Sequence, residues 1–276
     1  MHVLVTNDDG IESAGLAVLV RAALDRGHTV QVAAPAHEYS GASASLAGEE
    51  KDGKIILVSA DPPGMPEGVD AIGVKAAPGL IAFLASYGAF GDKPDIVLSG
   101  VNLGANTGHA TLHSGTVGAA LTAATHGIKG MAVSVTSGTP EHWDTVQRVA
   151  THALEWLEGQ DVGEHILNIN VPDVPWSKLR GLTGAHLAPF GAVQARIDER
   201  FTEGIDVTYI AEDADDDDPG SDHYLLTRGW ATATMLRAPV DSPKMDVPTF
   251  DGEGTEADVE AYQPDSARVM TTRESD

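Results

Sequence analysis

Residues 1–16 read MHVLVTNDDGIESAGL, and the fold turns on how that stretch is divided. His2–Thr6 is short, apolar and rich in valine, the composition of a buried strand. From Ser13 the period changes: Leu16, Leu19, Val20, Ala23 and Leu24 fall on one helical stripe. Ser13 is the expected N-cap of that helix and Gly27 its expected stop. Thr29–Ala34, closed by Pro35, reads as a second strand. Strand, helix and strand make a βαβ unit opened by an acidic loop, which predicts a doubly wound sheet.

The alternation persists downstream. Strands are expected at Lys54–Ser59, Asp95–Ser99, Met131–Thr136 and His165–Val171. Helices are expected at Gly79–Tyr87, with Pro78 at its start, at the Ala-rich Thr116–His126 and at Trp143–Glu158. The fold class is therefore α/β, a mostly parallel sheet with helices on both faces. Near residue 185 the rhythm changes. Asp206–Ala211 and His223–Leu226 read as strands flanking AEDADDDDPG, and Trp230–Leu236 alternates again. Repulsion should keep the acidic run 212–218 solvated; it lacks the spacing of an EF-hand loop. Beyond Pro239 an acidic, loosely held tail is expected.

The chain has 276 residues and a formal net charge of -24, from 41 acidic and 17 basic side chains. Such a field repels duplex nucleic acid and anionic membranes, and favours solubility. The absence of cysteine excludes disulfides, thiolate zinc sites and a cysteine nucleophile. No basic, apolar leader is visible and no apolar run approaches the roughly 20 residues of a membrane span, so a cytoplasmic address is expected. An enzyme acting on phosphates would need a local cation to overcome this charge.

In an open α/β sheet, ligands bind outside the carboxyl ends of the strands. Those ends carry Asn7, Asp8 and Asp9; then Ser40 and Gly41 in PAHEYSGAS; then Asn102 and Asn106 in SGVNLGANTG; then Ser114, Gly115 and Thr116 in HSGTVGAA. Adjacent carboxylates repel and are costly to desolvate, so a fold gains nothing from Asp8 beside Asp9 unless they hold something. Two carboxylates, a hydroxyl and an amide are all oxygen donors, suited to a hard cation, Mg²⁺ or Mn²⁺. Ser-Gly-Thr at a helix N-terminus offers N–H groups and hydroxyls to a phosphate. Metal and phosphate cradle together imply hydrolysis or transfer of a phosphoryl group. An aspartyl-phosphate route would need an aspartate where Asn7 stands, and a dinucleotide fold would need a glycine fingerprint that TNDDGIESAG lacks.

Five ordered segments, VTNDDGIESAGL, AP…SGAS, PDIVLSGVNLGAN, SGTVGAA and LNINVPDVP, resemble the SurE (survival protein E) family of metal-dependent nucleotidases and acid phosphatases. The likeness runs from residue 2 to about 173 and resumes faintly at DPGSDHYLLTRGWATATML. It implies a Rossmann-like, three-layer catalytic core over 1–185, a β-hairpin and oligomerisation extension over 186–240, and an acidic tail over 241–276. It also implies a homodimer or homotetramer that hydrolyses nucleoside monophosphates to nucleoside and inorganic phosphate. By motif position the resemblance assigns one divalent cation per subunit to Asp8, Asp9, Ser40 and Asn102, and the phosphate to Asn106, Ser114, Gly115 and Thr116. IGVKAAPGL, HATLH and GAHLAPFGAVQAR depart from the family's pattern and fall on the substrate side.

The expected mechanism is direct attack by water, with Asp8 or Asp9 orienting it or taking its proton. His109 and His113 are the candidates to protonate the leaving alkoxide. The alternatives are a metal- and nucleotide-binding sensor that has lost catalysis, or a phosphatase acting on a non-nucleotide phosphoester.

Overall fold

The computed structural model describes residues 1–189, 193–200, 205–211, 218–239 and 271–273. Six strands run parallel, in the spatial order β6 (Ala71–Val74), β2 (Thr29–Pro35), β1 (His2–Thr6), β7 (Ile96–Leu103), β8 (Lys129–Val135) and β9 (His165–Val171). Antiparallel strands extend both sides. β5 (Leu57–Ser59) adds to β6, while β13 (Ala231–Arg237) adds to β9 and carries β10 (Leu182–Gly184) on its outer edge. The nine strands form one sheet. The chain leaves β1 for β2 and β6, then returns to β7 on the other flank of β1. The boundary between β1 and β7 is thus a topological switch point, where a ligand crevice is expected.

Alternation along β1 sorts its side chains between two cores. Val3 and Val5 point to the layer of α1 (Gly15–Asp25) and α4 (Trp143–Glu158), where Leu16, Leu19, Leu154 and Leu157 are buried. Leu4 points to the opposite layer, with Leu80 and Ile81 of α2 (Pro78–Ala85) and Ala123 of α3 (Gly115–Ala124). Each such leucine contributes roughly 1.5–3 kcal/mol by leaving water. The helices on both faces of the sheet make the three-layer α/β architecture that the alternation predicted.

Several elements differ from the sequence expectation. Lys54–Ser59 is not one strand. β4 (Lys54–Ile55) folds back on β3 (Gly48–Lys51) through Asp52 and Gly53, both at positive φ, and only β5 joins the main sheet. β3 and β6 were not expected; each is four residues long, too short to show a period. Ser13 is not the N-cap of α1. Ala14 occupies that position, and the Ser13 hydroxyl accepts only a 3.4 Å contact from Gly15 N–H. The stop at Gly27 stands, with φ +77°.

His223–Leu226 is a correction: it lies in a helix, α5 (Asp222–Leu226), because the Ser221 hydroxyl caps the Tyr224 N–H and turns the chain at that point. The strand β12 (Ile205–Ala211) pairs instead with the preceding β11 (Val193–Arg200), antiparallel. The acidic run at 212–218 lies outside the described residues except for Asp218, which meets His186 Nε2 at 2.8 Å. The expected tail likewise lies outside them, apart from β14 (Thr271–Arg273), parallel to β3. Among the described residues no helix is long and apolar enough to cross a membrane.

Candidate active site at the carboxyl edge of the sheet

The acidic loop is shaped by Asn7, which is fully buried. Its amide donates to Gly10 O at 2.9 Å and its Oδ1 accepts from Gly10 N–H at 3.2 Å, closing a turn around the two aspartates. Gly10 sits at φ +99°, a conformation that costs a side chain little only when it has no Cβ. Tyr39 N–H donates to Asp8 O at 2.8 Å, which draws the loop after β2 toward the loop after β1.

Asp8 and Asp9 face different surroundings. Asp8 is 4% exposed and seated against the first turn of α3. The Thr116 N–H donates to its Oδ2 at 3.0 Å, and the Thr116 hydroxyl donates to its Oδ1. A Cβ added at Gly115 would lie 2.8 Å from Asp8 Cβ and from its Oδ2, so the carboxylate fits there only because residue 115 has no side chain. Burial pushes the Asp8 pKa up, and the hydrogen bonds from Thr116 oppose that rise. Asp9 is less enclosed. Its pKa is raised to about 7, by burial first and by the charge of Asp8 next, with the Leu103 N–H at 3.3 Å opposing the rise and Glu38 adding to it.

Asp8, Asp9, Ser40, Asn102, Asn106, His113 and Ser114 line one cleft of about 900 Å³. The structure thus brings together the two aspartates, both neutral donors and two of the four phosphate candidates. Gly115 and Thr116 turn toward Asp8 instead, so the anion at the helix N-terminus is a side chain of this protein. The Ser114 hydroxyl accepts from Val117 N–H at 3.1 Å as the N-cap of α3. His109 is separated from the set: it lines a neighbouring, largely apolar cleft of about 840 Å³ with Phe83, Leu112 and Leu121.

Other members of the cleft lie outside the set that the sequence motifs name. Glu12 and Glu38 add to its negative charge, and the Ser40 hydroxyl donates to Glu38 Oε1. Glu38 was legible, since it lies two residues before Ser40 in HEYS. Leu103, Pro140 and Trp143 give the same cleft an apolar wall. In the sequence Trp143 reads only as the first residue of a helix, and nothing local ties that helix end to the acidic loop.

The donor chemistry fits a hard divalent cation. Asn102 gives its amide N–H to Gly104 O at 2.7 Å, and among the described residues its Oδ1 carries no hydrogen bond. No group of three or more His, Cys, Asp or Glu in a metal-holding arrangement occurs among the described residues, so a cation here would depend on the neutral oxygens of Ser40 and Asn102. Four carboxylates around one cleft (Asp8, Asp9, Glu12 and Glu38) also leave a phosphate unwelcome without a counter-charge.

An α/β protein with an oxygen-donor cleft at its topological switch point is the class that fold and site define. The family model described as Survival protein SurE matches residues 3–192. Relatives named 5′-nucleotidase SurE are 32% identical in Stenotrophomonas maltophilia (strain R551-3), over 86% of this chain and 90% of that one. They are 33% identical in Halorhodospira halophila, over 86% and 92%. The crystal structure of the SurE protein from Aquifex aeolicus superposes with a TM-score of 0.69 at 24% identity, covering 86% of this chain and 93% of the other. The chain belongs to the SurE family.

Proposed function

We propose that this protein is a metal-dependent phosphomonoesterase that hydrolyses nucleoside monophosphates to nucleoside and inorganic phosphate. The observation that carries the reading is the convergence of Asp8 and Asp9, Ser40, Asn102, Asn106 and Ser114 on one cleft. The relatives' 5′-nucleotidase name supports the substrate class. Asp8, Asp9, Ser40 and Asn102 would hold one Mg²⁺ or Mn²⁺ per subunit. When bound, such a cation supplies Lewis-acid polarisation of a phosphate oxygen and neutralises the acidic wall.

The chain's own groups do the rest. The Asn106 carboxamide and the Ser114 hydroxyl orient the phosphoryl oxygens. Asp9 accepts a proton from the attacking water as the new P–O bond forms and the ester P–O bond breaks in line with it. His113, an exposed residue on the cleft, gives a proton to the departing nucleoside oxygen. Trp143, the first residue of α4, is half-buried, packed against the core and open to the cleft, where its indole offers a stacking face to the base. β11 and β12 are the segment we assign to subunit contact in a homodimer or homotetramer.

The test is release of inorganic phosphate from a panel of nucleoside 5′- and 3′-monophosphates, with Mg²⁺, Mn²⁺ or chelator, beside the Asp9→Asn variant. Metal-dependent release that disappears in the variant is expected. A folded, metal-binding protein that releases nothing from any nucleotide overturns the proposal in favour of a sensor or of a non-nucleotide phosphoester.

A further inference from the structure

Among the described residues, one fully buried carboxylate lies outside the acidic cleft. Asp222, at the first turn of α5, has no exposed surface. Its Oδ2 accepts from Gly108 N–H at 2.9 Å, and its Oδ1 accepts from Ala188 N–H at 2.9 Å and His223 N–H at 2.8 Å. Its own N–H donates to His186 O at 2.8 Å. Three backbone N–H donors satisfy the acceptors of this fully buried carboxyl group and offset the cost of its desolvation.

Gly108 belongs to the segment that carries the substrate side of the cleft. Two residues before it, Asn106 is held by the main chain: its N–H donates to Asn170 Oδ1 at 2.8 Å, and its carbonyl accepts from Asn168 Nδ2 at 3.0 Å and Asn170 Nδ2 at 2.9 Å. The Asn106 amide donates to Ser134 Oγ at 2.9 Å. After Gly108 a 3₁₀ turn runs to His113 and delivers Ser114 to the head of α3. The segment is thus pinned at Asn106 by β9, at Gly108 by Asp222, at Leu112 and His113 by Ser43, and at Ser114 by its own cap. Asp222 is the pin that comes from beyond β9, on the short helix α5.

We propose that Asp222 is a positioning residue for phosphoryl binding: by holding Gly108 it sets where Asn106, His113 and Ser114 stand relative to Asp8 and Asp9. This rests on the reading that Asn106 and Ser114 receive the phosphoryl group. Asparagine at 222 keeps the shape but turns an NH₂ toward backbone N–H donors; alanine removes every acceptor. The residues assigned to the metal lie in the loops after β1 and β2 and on β7, and among the described residues Asp222 hydrogen-bonds to Gly108, Ala188, His223 and His186 instead.

Asp222→Asn and Asp222→Ala, in the full chain, separate the possibilities, with Glu158→Gln as a control for lost stability at the far end of the sheet. The readouts are Mn²⁺ affinity by calorimetry, the inhibition constant of inorganic phosphate, kcat and KM, and amide exchange over 106–116. A misplacement on the order of 1 Å costs about 100-fold in rate. The expectation is that kcat/KM falls ~100-fold in Asp222→Ala and ~10-fold in Asp222→Asn, with weaker phosphate inhibition and faster exchange in 106–116. Mn²⁺ affinity should stay within about twofold, since the metal ligands keep their places. Unchanged phosphate inhibition and kcat/KM in an active protein overturn this inference alone. So does a parallel loss of Mn²⁺ affinity, which marks a general structural role. Wild-type protein that neither binds nor releases phosphate overturns the functional reading, and this inference with it.

Discussion

Replacing Thr116 with valine removes one hydroxyl and almost no volume from the first turn of α3. Thr116 is fully buried, and its Oγ1–H donates to Asp8 Oδ1 while its N–H, retained in the variant, donates to Oδ2. The Asp8 carboxylate at 4% exposure has little water to replace the lost donor. A hydrogen bond to a charged group contributes about 1.5–3 kcal/mol net, so a loss of about 2 kcal/mol is expected. Its pH dependence has a definite sign. Burial raises the folded Asp8 pKa above the ordinary 3.8, so the folded state binds the extra proton and Asp8 costs stability as pH rises through that folded value. Without the hydroxyl the pKa rises further, and the gap between variant and wild type widens with pH and closes in acid. Urea unfolding in chelator from pH 5 to 8 reads this directly, and a cycle with Asp8→Asn isolates the pair. A loss below about 0.5 kcal/mol with no pH trend would refute the role given to Thr116.

Two further outcomes follow from other parts of the molecule. Glu158 closes α4 and accepts from Arg26 Nε at 3.1 Å and Nη2 at 2.8 Å, with His28 Nε2 2.8 Å from its Oε1. The Arg26 hydrogen bond, against some desolvation, lowers the Glu158 pKa below the ordinary 4.5. Its stabilisation is therefore present above that value and lost as pH falls through the lowered one; Glu158→Gln should lower Tm modestly at neutral pH, less in high salt, with the difference shrinking in acid. Trp143→Ala should raise KM for a nucleoside monophosphate by roughly tenfold, the scale of losing about 1–3 kcal/mol of base stacking, while leaving KM for a phosphomonoester without a base unchanged. Equal effects on both substrates, in steady-state assays, would show that the indole only supports the fold.

Much of the site was legible because the first βα unit is local. A strand, two aspartates and a helix stand within 25 residues, and the strand ends named Ser40, Asn102, Asn106 and Ser114 by the general rule for open sheets. His113 fell on the cleft, whereas its near neighbour His109 faces an apolar one. Four residues apart on a 3₁₀ turn, the two differ in direction, which no pattern of residue types reports. The strand expected at His223–Leu226 failed for a similar reason: a four-residue run carries too little periodicity to outweigh the Ser221 cap.

The sequence by itself determined the alternation of strands and helices, the oxygen character of the donors and the need for a counter-charge, since these follow from residue types and short spacings. Tertiary structure alone decided that Thr116 serves Asp8 across 108 residues and that Asp222 holds Gly108 across 114. The physical reason is that hydrogen bonds reach about 3 Å whatever the distance along the chain. Which donors a buried carboxylate meets is set by how the layers pack, and that packing leaves no local signature around Asp8 or Asp222.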